Sequence, residues 1–478
     1  MDRLVRNNSR LLVMLLALAL GSVAAVASRG AWNSDDLPQV ADPELHGRQA
    51  YHLAQHGEFR FPGPIEPDGP HGAPPGPYSP QPPGYSAYLA AILVSAPEFS
   101  SLTWPCIRDA SCAAGSGVRW RARFVTAVVR GVTVGATVLA VFLFTGRLTP
   151  AALGGLLCLL LLQRDTPTLL AGLLLLAHAA LVASTWNRPR LLTGLASGVA
   201  LGLLVLVNAI YQYSLIGVPL VWLAGVFLHR ERWRSTAPAF AALAVAAWAV
   251  TLPWMVRNAT HDGAFAISGG GGKVLAHRAE YGLMTWSELR GAFAWFLPPQ
   301  LSALREPAMR WLTPDTYGYA RFDRDADEGF YRRVRNSTGD VAARADQLDP
   351  DWRTAGLARQ DDTLRAVAAQ VYVENWPKQL ALTAVFAQRG TWGLWLPGAG
   401  LVAFLVWRRR DYTLAFLLLP VAWTAVGLAV GTHFLERYAY PFIPVSAVVV
   451  ALALHEAWLW AKANGRFQFT GGKAGEVP

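Results

Sequence analysis

Long apolar stretches recur along most of this chain, and they limit what it can fold into. A helix of about 20 apolar residues is long enough to cross the hydrocarbon core of a membrane. Because 53% of the 478 residues are hydrophobic and only 15% are charged, we predict an all-α polytopic membrane protein. The ten predicted spans, of which the third is short, cover residues 11–28, 123–145, 149–163, 167–185, 191–208, 211–228, 236–254, 392–407, 412–431 and 439–461.

Basic residues predict the orientation of these spans. Cytoplasmic connections carry an excess of Lys and Arg, and with ten spans the basic clusters fall on the side of both termini. We therefore predict cytoplasmic termini, with residues 462–478 as a tail. These connections account for much of the net charge of +10, so the charge does not indicate nucleic-acid binding. The clusters are Arg3, Arg6 and Arg10; Arg188 and Arg190; Arg230, Arg232 and Arg234; Arg408, Arg409 and Arg410; Lys462 and Arg466.

The first apolar segment allows a second interpretation. Ala25, Val26 and Ala27 precede Ser28 and resemble the cleavage site of a signal peptide. The apolar region is long for a signal peptide, however, and its removal would leave an odd number of spans. A retained helix is the favoured interpretation.

Two large polar segments are predicted outside the cytoplasm, at residues 29–121 and 255–391. The first is rich in Pro, Gly and acidic residues. In the second, residues 361–376 have an apolar stripe typical of an amphipathic helix, which Asp361 or Asp362 can cap. We expect this helix to lie against the membrane surface or the first polar segment.

The three cysteines predict one disulfide. Five residues separate Cys106 from Cys112 in the first polar segment, and an oxidising compartment favours their pairing. Spacing alone leaves two free thiols open, because it does not establish bonding geometry. Cys158 lies within a predicted span, where a small buried hydrophobic residue is expected. The three cysteines show no metal-ligand spacing.

The segment 251–263, TLPWMVRNATHDG, indicates a site at the membrane boundary. Pro253 and Trp254 are predicted to end the apolar helix, which places Arg257 and Asn258 just outside the bilayer. Trp suits the interface, and an Arg there can reach a lipid phosphate with paired donors. A glycine-rich turn then leads to Lys273.

Acidic residues near the first span are candidates for acid–base chemistry. Asp42, with Pro43 after it, predicts a short helix that contains His46 and ends at Gly57. Alternatively, Asp42 is a helix cap and nothing more. Asp35, Asp36 and Glu44 are nearby candidates for the catalytic acid.

Three further positions fall at predicted membrane boundaries. The prolines before Tyr85 set the start of a helix at Gly84 or Tyr85. Asp165 follows the third span and either caps the next helix or acts chemically. Arg437 and Tyr438 precede the last span, where a snorkelling Arg between aromatic residues is also common.

Together these motifs resemble the bacterial GT-C superfamily of polyprenyl-phosphate-dependent glycosyltransferases, near its protein O-mannosyltransferase and aminoarabinose-transferase branches. The resemblance covers residues 11–461 and implies a single transmembrane catalytic domain over residues 1–461. The matching positions are Asp42, Gly57, Pro82, Pro83, Gly84, Tyr85, Pro253, Trp254, Arg257, Asn258, Gly263, Gly272, Lys273, Arg437, Tyr438, Pro441 and Pro444. Pro43 replaces the second acid of the usual pair, and His46 replaces a Tyr.

The resemblance implies an inverting transfer of sugar from a lipid-phosphate donor to an acceptor outside the cytoplasm. Catalytic acids would be Asp42, with Asp165 and Asp36 as further candidates. Arg257, Lys273 and Arg437 would bind the donor phosphate, and the substrate-binding residues would be Asn258, Tyr85, His46 and Tyr438. No metal is required if these cations are present, although Asp42 and Asp165 suit Mg or Mn.

Two other classes of function remain open. A transporter or flippase of lipid-linked sugars would be marked by charges inside its spans and by repeated halves with broken helices; the sequence shows no such repeat, and its charges cluster in the outer segments rather than in the middle of the spans. A polyprenyl-dependent polysaccharide polymerase or ligase would use similar donors. The acceptor (protein, lipid or polysaccharide) and the donor sugar are not indicated by the sequence.

Overall fold

The computed structural model describes residues 2–27, 46–59, 81–109, 111–162, 166–228, 230–297, 299–313, 321–323, 326–391, 400, 403, 412–432 and 438–463. Its regular elements in this part of the chain are all helical, without strands. The α-helices are α1 Asp2–Ala27, α2 Arg48–His56, α3 Pro83–Val94, α4 Trp104–Arg108, α5 Ser116–Thr145, α6 Leu148–Leu161, α7 Thr166–Asn187, α8 Leu191–Val207, α9 Ser214–Leu228, α10 Trp233–Asp262, α11 Gly271–Gly282, α12 Trp286–Trp295, α13 Arg305–Leu312, α14 Phe330–Arg335, α15 Asp340–Leu348, α16 Leu357–Glu374, α17 Trp376–Gly390, α18 Thr413–Gly431 and α19 Ile443–Ala463.

Seven helical stretches of the described chain are long and apolar enough to cross a membrane. They are Ser9–Ala27, Ala113–Thr145, Thr168–Asn187, Ala209–Phe227, Arg234–His261, Thr413–Gly431 and Tyr440–Ala463. The third and fifth predicted spans correspond to the shorter apolar helices α6 and α8. The eighth lies outside the described residues except for Gly400 and Ala403. The chain is thus an all-α membrane protein, and the number of ten spans stays a prediction.

The helices α8 and α10 approach each other through a row of glycines. A side chain at Gly194 would collide with the Ala239 carbonyl, and one at Gly198 with the Leu243 carbonyl. A side chain at Gly202 would collide with the side chain of Val250. Small residues at a spacing of four let membrane helices pack closely. This seam fixes α10, which carries Arg257, against the core of the helix bundle.

The two polar segments meet at one end of the helix bundle, which we call the polar end. There the last turn of α8 packs against Gly84 of α3, whose Cα has no room for a side chain beside the Leu206 carbonyl. The Tyr372 hydroxyl of α16 donates to the carbonyl of Val430 at the end of α18, at 2.8 Å. Arg257 of α10 joins the second polar segment to the first by donating to the Phe59 carbonyl, at 2.7 Å.

Two helix boundaries differ from the sequence-based prediction. The helix α10 continues through Pro253 to Asp262, so the second polar segment begins with about two helical turns rather than an irregular loop. Packing can hold a proline inside a membrane helix. The predicted amphipathic helix begins at Leu357 and ends at Glu374, after the N-cap Gly356. Asp361 therefore does not cap its own helix.

The disulfide loop surrounds an arginine at the start of α5. Cys106 and Cys112 are bonded to each other. Arg119, which is buried, donates to the carbonyls of Cys106 at 3.1 Å, Asp109 at 2.8 Å and Cys112 at 2.8 Å. A guanidinium carries five donors in a fixed arrangement, so one side chain holds this loop closed around the helix.

Thiol labelling tests the bond. In denatured protein that has not been reduced, we expect a maleimide to label Cys158 alone, because the other two cysteines are bonded. After reduction, all three should react. Labelling of three cysteines without reduction would contradict the disulfide.

Reporter fusions test the predicted orientation. Fusions after Arg234 and Arg410 should report a cytoplasmic location, because basic connections stay on that side. Fusions near Gly69 and Asp340 should report an external one. A cytoplasmic signal at Asp340 would overturn the topology.

Candidate functional site

A buried polar cluster joins α2 to α3 in the first polar segment. The Ser86 hydroxyl donates to the Gln49 side-chain carbonyl at 2.8 Å, and His46 Nδ1 lies 3.4 Å from the same hydroxyl. The edge of the His46 ring faces Tyr85, with 5.1 Å between centroids. Burial lowers the pKa of His46 to about 4, so its imidazole is neutral at pH 7. Since Tyr85 is fully buried and His46 nearly so, their contact with a substrate stays a prediction.

Arg257 and Asn258 sit at the junction of the two polar segments. The Arg257 guanidinium stacks on Trp254, 4.8 Å from the ring centroid, and donates to the Asn258 side-chain oxygen at 2.9 Å. Asn258 is only 4% exposed and donates to the Ala266 carbonyl at 2.8 Å. Arg257, the predicted phosphate-binding residue, thus also holds α10 against the first polar segment. Asn258 holds the loop that follows α10.

The glycine-rich turn before Lys273 already holds a carboxylate. Gly270 has a φ of 81°, which glycine adopts without strain, and α11 begins after it. The side chain of Asp361 accepts from the backbone amides of Gly272 at 2.6 Å and Lys273 at 3.4 Å. A carboxylate at a helix N-terminus satisfies free amides and interacts favourably with the helix dipole. Asp361, which lies in α16, therefore caps the N-terminus of α11. It does not cap the N-terminus of α16.

The side chain of Lys273 remains available for an anion. Among the described residues, neither Lys273 nor Arg335 of α14 has an ion pair or side-chain hydrogen bond. Burial, and then the charge of Arg335, lower the pKa of Lys273. One turn from these cations, the rings of His277 and Tyr331 pack at 4.8 Å, which holds α11 beside α14. A bound anion would relieve the repulsion between the two cations.

Many other arginines of the second polar segment differ from this pair because they are neutralised by carboxylates. Their carboxylate partners lie within 4 Å, as in the pair of Arg344 and Glu374 at 2.6 Å. The remaining paired arginines in this segment include Arg310, Arg321, Arg332, Arg333, Arg353, Arg359 and Arg365. Within the described part of this segment, Lys273 and Arg335 have no carboxylate partner and are also close enough for the charge of Arg335 to lower the pKa of Lys273.

A buried arginine on α11 is a further anchor that the sequence motifs do not predict. Arg278 is fully buried and donates to the side chain and, at 2.7 Å, to the main-chain carbonyl of Gln379. Its Nε is 3.4 Å from the carbonyl of Ala429 near the end of α18. Burial lowers the pKa of Arg278 to about 10, so it stays charged. Arg278 ties the second polar segment to the helix bundle, and nothing in its local sequence distinguishes it from a surface residue.

The remaining predicted site residues are only partly described. Tyr438 is half-buried beside the turn Tyr440–Phe442, which packs against Gly172 of α7. Asp35, Asp36, Asp42, Glu44, Asp165 and Arg437 lie outside the described residues. Among those described, no group of three or more His, Cys, Asp or Glu could hold a metal ion. It stays a prediction that the candidate catalytic acids lie close to the phosphate-binding cations.

Comparison with protein-family models, curated proteins and solved structures finds no match for this chain. The family resemblance therefore rests on the motifs themselves and on the chemistry of the residues around them.

Proposed function

We propose that this protein is a membrane glycosyltransferase that moves a sugar from a polyprenyl-phosphate donor to an acceptor outside the cytoplasm, with inversion at the anomeric carbon. The observation that supports it most is the pair Lys273 and Arg335, two neighbouring cations without anionic partners in the described part of the second polar segment. A donor phosphate supplies the missing negative charge. The motif resemblance connects this cation pair to sugar transfer.

The reaction needs a base and a stabilised leaving group. Asp42 takes the proton of the acceptor hydroxyl or amine as that atom bonds to the anomeric carbon. The bond from the anomeric carbon to the phosphate oxygen breaks, and the polyprenyl phosphate leaves with the electron pair. Arg257, Lys273 and Arg437 stabilise its growing charge, and Arg335 adds a fourth cation that sequence analysis did not identify. A Mg or Mn ion held by Asp42 and Asp165 is the alternative arrangement.

The disulfide between Cys106 and Cys112 supports an external location for the first polar segment. Disulfides persist in oxidising compartments and are rare in the cytoplasm. Because Arg257 contacts Phe59 of that segment, the second polar segment belongs on the same side. A bacterial plasma membrane with the site facing outward is the location we propose.

A transfer assay tests the proposed activity against its rivals. Purified protein in vesicles, given a radiolabelled polyprenyl-phosphate monosaccharide and a membrane extract as acceptor, should produce a covalently labelled acceptor. Movement of the labelled lipid between leaflets without covalent transfer would support a flippase and overturn the proposal. Labelled products that grow as a repeating ladder would indicate a polymerase.

Removal of the cation pair should weaken donor use. Lys273→Gln combined with Arg335→Gln should raise the KM for the donor lipid about tenfold or more, since charge-assisted hydrogen bonds contribute roughly 1.5–3 kcal/mol each. The measurement is transfer rate against donor concentration. Arg344→Gln is the matched control, because Arg344 is paired with Glu374. An unchanged KM in the double variant would exclude the pair from the donor site.

A further inference from the structure

The helix α13 of the second polar segment has an exposed apolar face. Leu304, directly before α13, is 56% exposed, and Trp311 near its end is 81% exposed. Ala308, which is half-buried, lies between them. Positions separated by four and then three residues fall on one side of a helix. Leu301, in the helical turn Pro299–Leu304, adds another exposed apolar side chain. Neighbouring apolar side chains that no described residue covers indicate an interaction surface.

The remaining sides of α13 face protein and water. Met309 is buried and packs on Gly291 of α12, where a Cβ would lie 3.4 Å from the Met309 methyl carbon. Glu306 and Arg310 form an exposed ion pair at 2.5 Å. Since successive residues of a helix are about 100° apart, this pair lies about 150° around α13 from the apolar face. A helix with opposite apolar and charged sides is typical of helices that lie in a membrane interface.

Contacts with α12 and α17 hold α13 near the membrane-spanning part of the chain. The Gln388 side-chain amide of α17 donates to the Phe293 carbonyl, near the end of α12, at 3.2 Å. Gln388 comes shortly before the predicted span 392–407, and α17 packs against the apolar helix α18. The guanidinium of Arg305, the first residue of α13, lies 5.5 Å from the ring centroid of Trp295, the last residue of α12. These contacts favour a position of α13 at the level of the membrane surface.

The hydrophobic cores of the second polar segment favour the same position. Met309 of α13 belongs to the core that contains Leu417 and Leu428 of α18. The helices α11, α14, α15 and α16 form a separate core. The apolar stripe of α16 lies in that separate core, where Val367 and Val371 are fully buried. This stripe therefore packs within the second polar segment and not against the membrane or the first polar segment.

We propose that the apolar face of α13 lies in the membrane leaflet next to the polar end, at the boundary between phospholipid headgroups and acyl chains. Trp311 suits this depth because its ring is apolar and its indole N–H can donate to a headgroup. Leu304 contacts the upper part of the acyl chains, and the pair of Glu306 and Arg310 stays in water. The second polar segment thus has a lipid contact of its own, between its two connections to the helix bundle. This anchor does not depend on the proposed sugar transfer.

Spin labels report the surroundings of this face. Leu304→Cys, Trp311→Cys and Glu306→Cys are made one at a time in full-length protein that carries Cys158→Ala, so that each variant has a single free thiol. Each labelled protein is placed in phosphatidylcholine nanodiscs. Electron paramagnetic resonance then measures collisions of the label with oxygen, which concentrates in lipid, and with a polar nickel chelate, which stays in water. We expect the labels of Leu304→Cys and Trp311→Cys to collide with oxygen and to lose most collisions with the chelate.

The matched control is Glu306→Cys, which lies on the charged side of the same helix. Its label should collide freely with the nickel chelate. If the label of Trp311→Cys is as open to the chelate as this control, the apolar face lies in water and the proposal is overturned. Protection of Leu304→Cys and Trp311→Cys from both oxygen and the chelate would mean that protein, such as a second copy of this chain, covers the face. That result would also overturn the proposal.

A second measurement needs no substitution in α13. The unaltered protein is placed in nanodiscs that contain a phosphatidylcholine with a photoreactive group near the top of its acyl chain. After illumination, mass spectrometry should find label on the peptide that contains Trp311 and none on the peptide of α15, whose apolar residues Val341 and Ala345 are buried. Absence of label from α13, or equal labelling of α15, would contradict the proposal.

Discussion

Replacement of Asp42 by Asn is expected to lower sugar transfer by about 10²–10⁴-fold, the usual effect of losing a general base. The amide keeps the size of the side chain and can still accept a hydrogen bond at a helix N-terminus. It cannot take a proton from the acceptor. Binding of the donor should survive, because in the proposed mechanism the cations and not the carboxylate hold the phosphate. Steady-state rates should therefore show a lower kcat with a nearly unchanged KM for the donor.

The neighbouring acids supply the controls for this result. Asp35→Asn and Asp36→Asn should transfer sugar at close to the normal rate if Asp42 is the base. If Asp42→Asn is active while one of the other two is not, Asp42 is a helix cap and the base lies upstream. Arg257→Ala and Arg437→Ala should raise the KM for the donor as well as lower the rate. Lys at either position should rescue only partly, since an ammonium lacks the paired donors of a guanidinium.

Replacement of Arg278 by Met is expected to destabilise the protein by about 3 kcal/mol or more. Met has a similar length, so the packing volume is largely kept. The change leaves the buried carbonyls of Gln379 and Ala429 without their donor, and each unsatisfied acceptor costs roughly 1–3 kcal/mol. Burial of the guanidinium also carries a cost, but the carbonyl end of α18 and the rings of Tyr372 and Phe386 around it offset part of that cost.

Thermal unfolding of the detergent-solubilised protein measures this effect. We expect a clear fall in the midpoint for Arg278→Met and faster proteolysis of the second polar segment. The matched control is Arg290→Met on α12, because Arg290 is exposed and makes no side-chain contact of this kind. A midpoint for Arg278→Met as high as that of the control would mean that Arg278 does not hold the second polar segment.

Local signals in the sequence predicted several boundaries well. The helix α2 ends at Gly57, which has a φ of 70°, and α3 begins at Pro83, one residue before the predicted start. Both depend on backbone preferences of single residues. The prediction failed at Pro253, where packing along α10 keeps the helix intact, and at Asp361, whose partners are 88 and 89 residues away. Contacts of that range leave no local pattern.

In the candidate site too, local motifs predict some residues, whereas others depend on how distant elements pack. The basic residues Arg257 and Lys273 follow from motifs in the chain, but the relation of Lys273 to Arg335 depends on how α11 packs beside α14. The burial of Arg278 likewise depends on α17 and α18. The seam of Gly194, Gly198 and Gly202 could have been read from the sequence, because small residues at intervals of four are a known signal in membrane helices.

The hydrogen bond between Arg257 and Phe59 also has a consequence for the order of synthesis. Its two residues are 198 positions apart, whereas the disulfide joins cysteines only 6 positions apart. Because a chain folds from its N-terminus as it emerges from the ribosome, the disulfide can close early. Phe59 must wait until several more helices have been inserted. A ribosome that stalls between these two points would leave a membrane-bound fragment with an oxidised loop and an unfinished site.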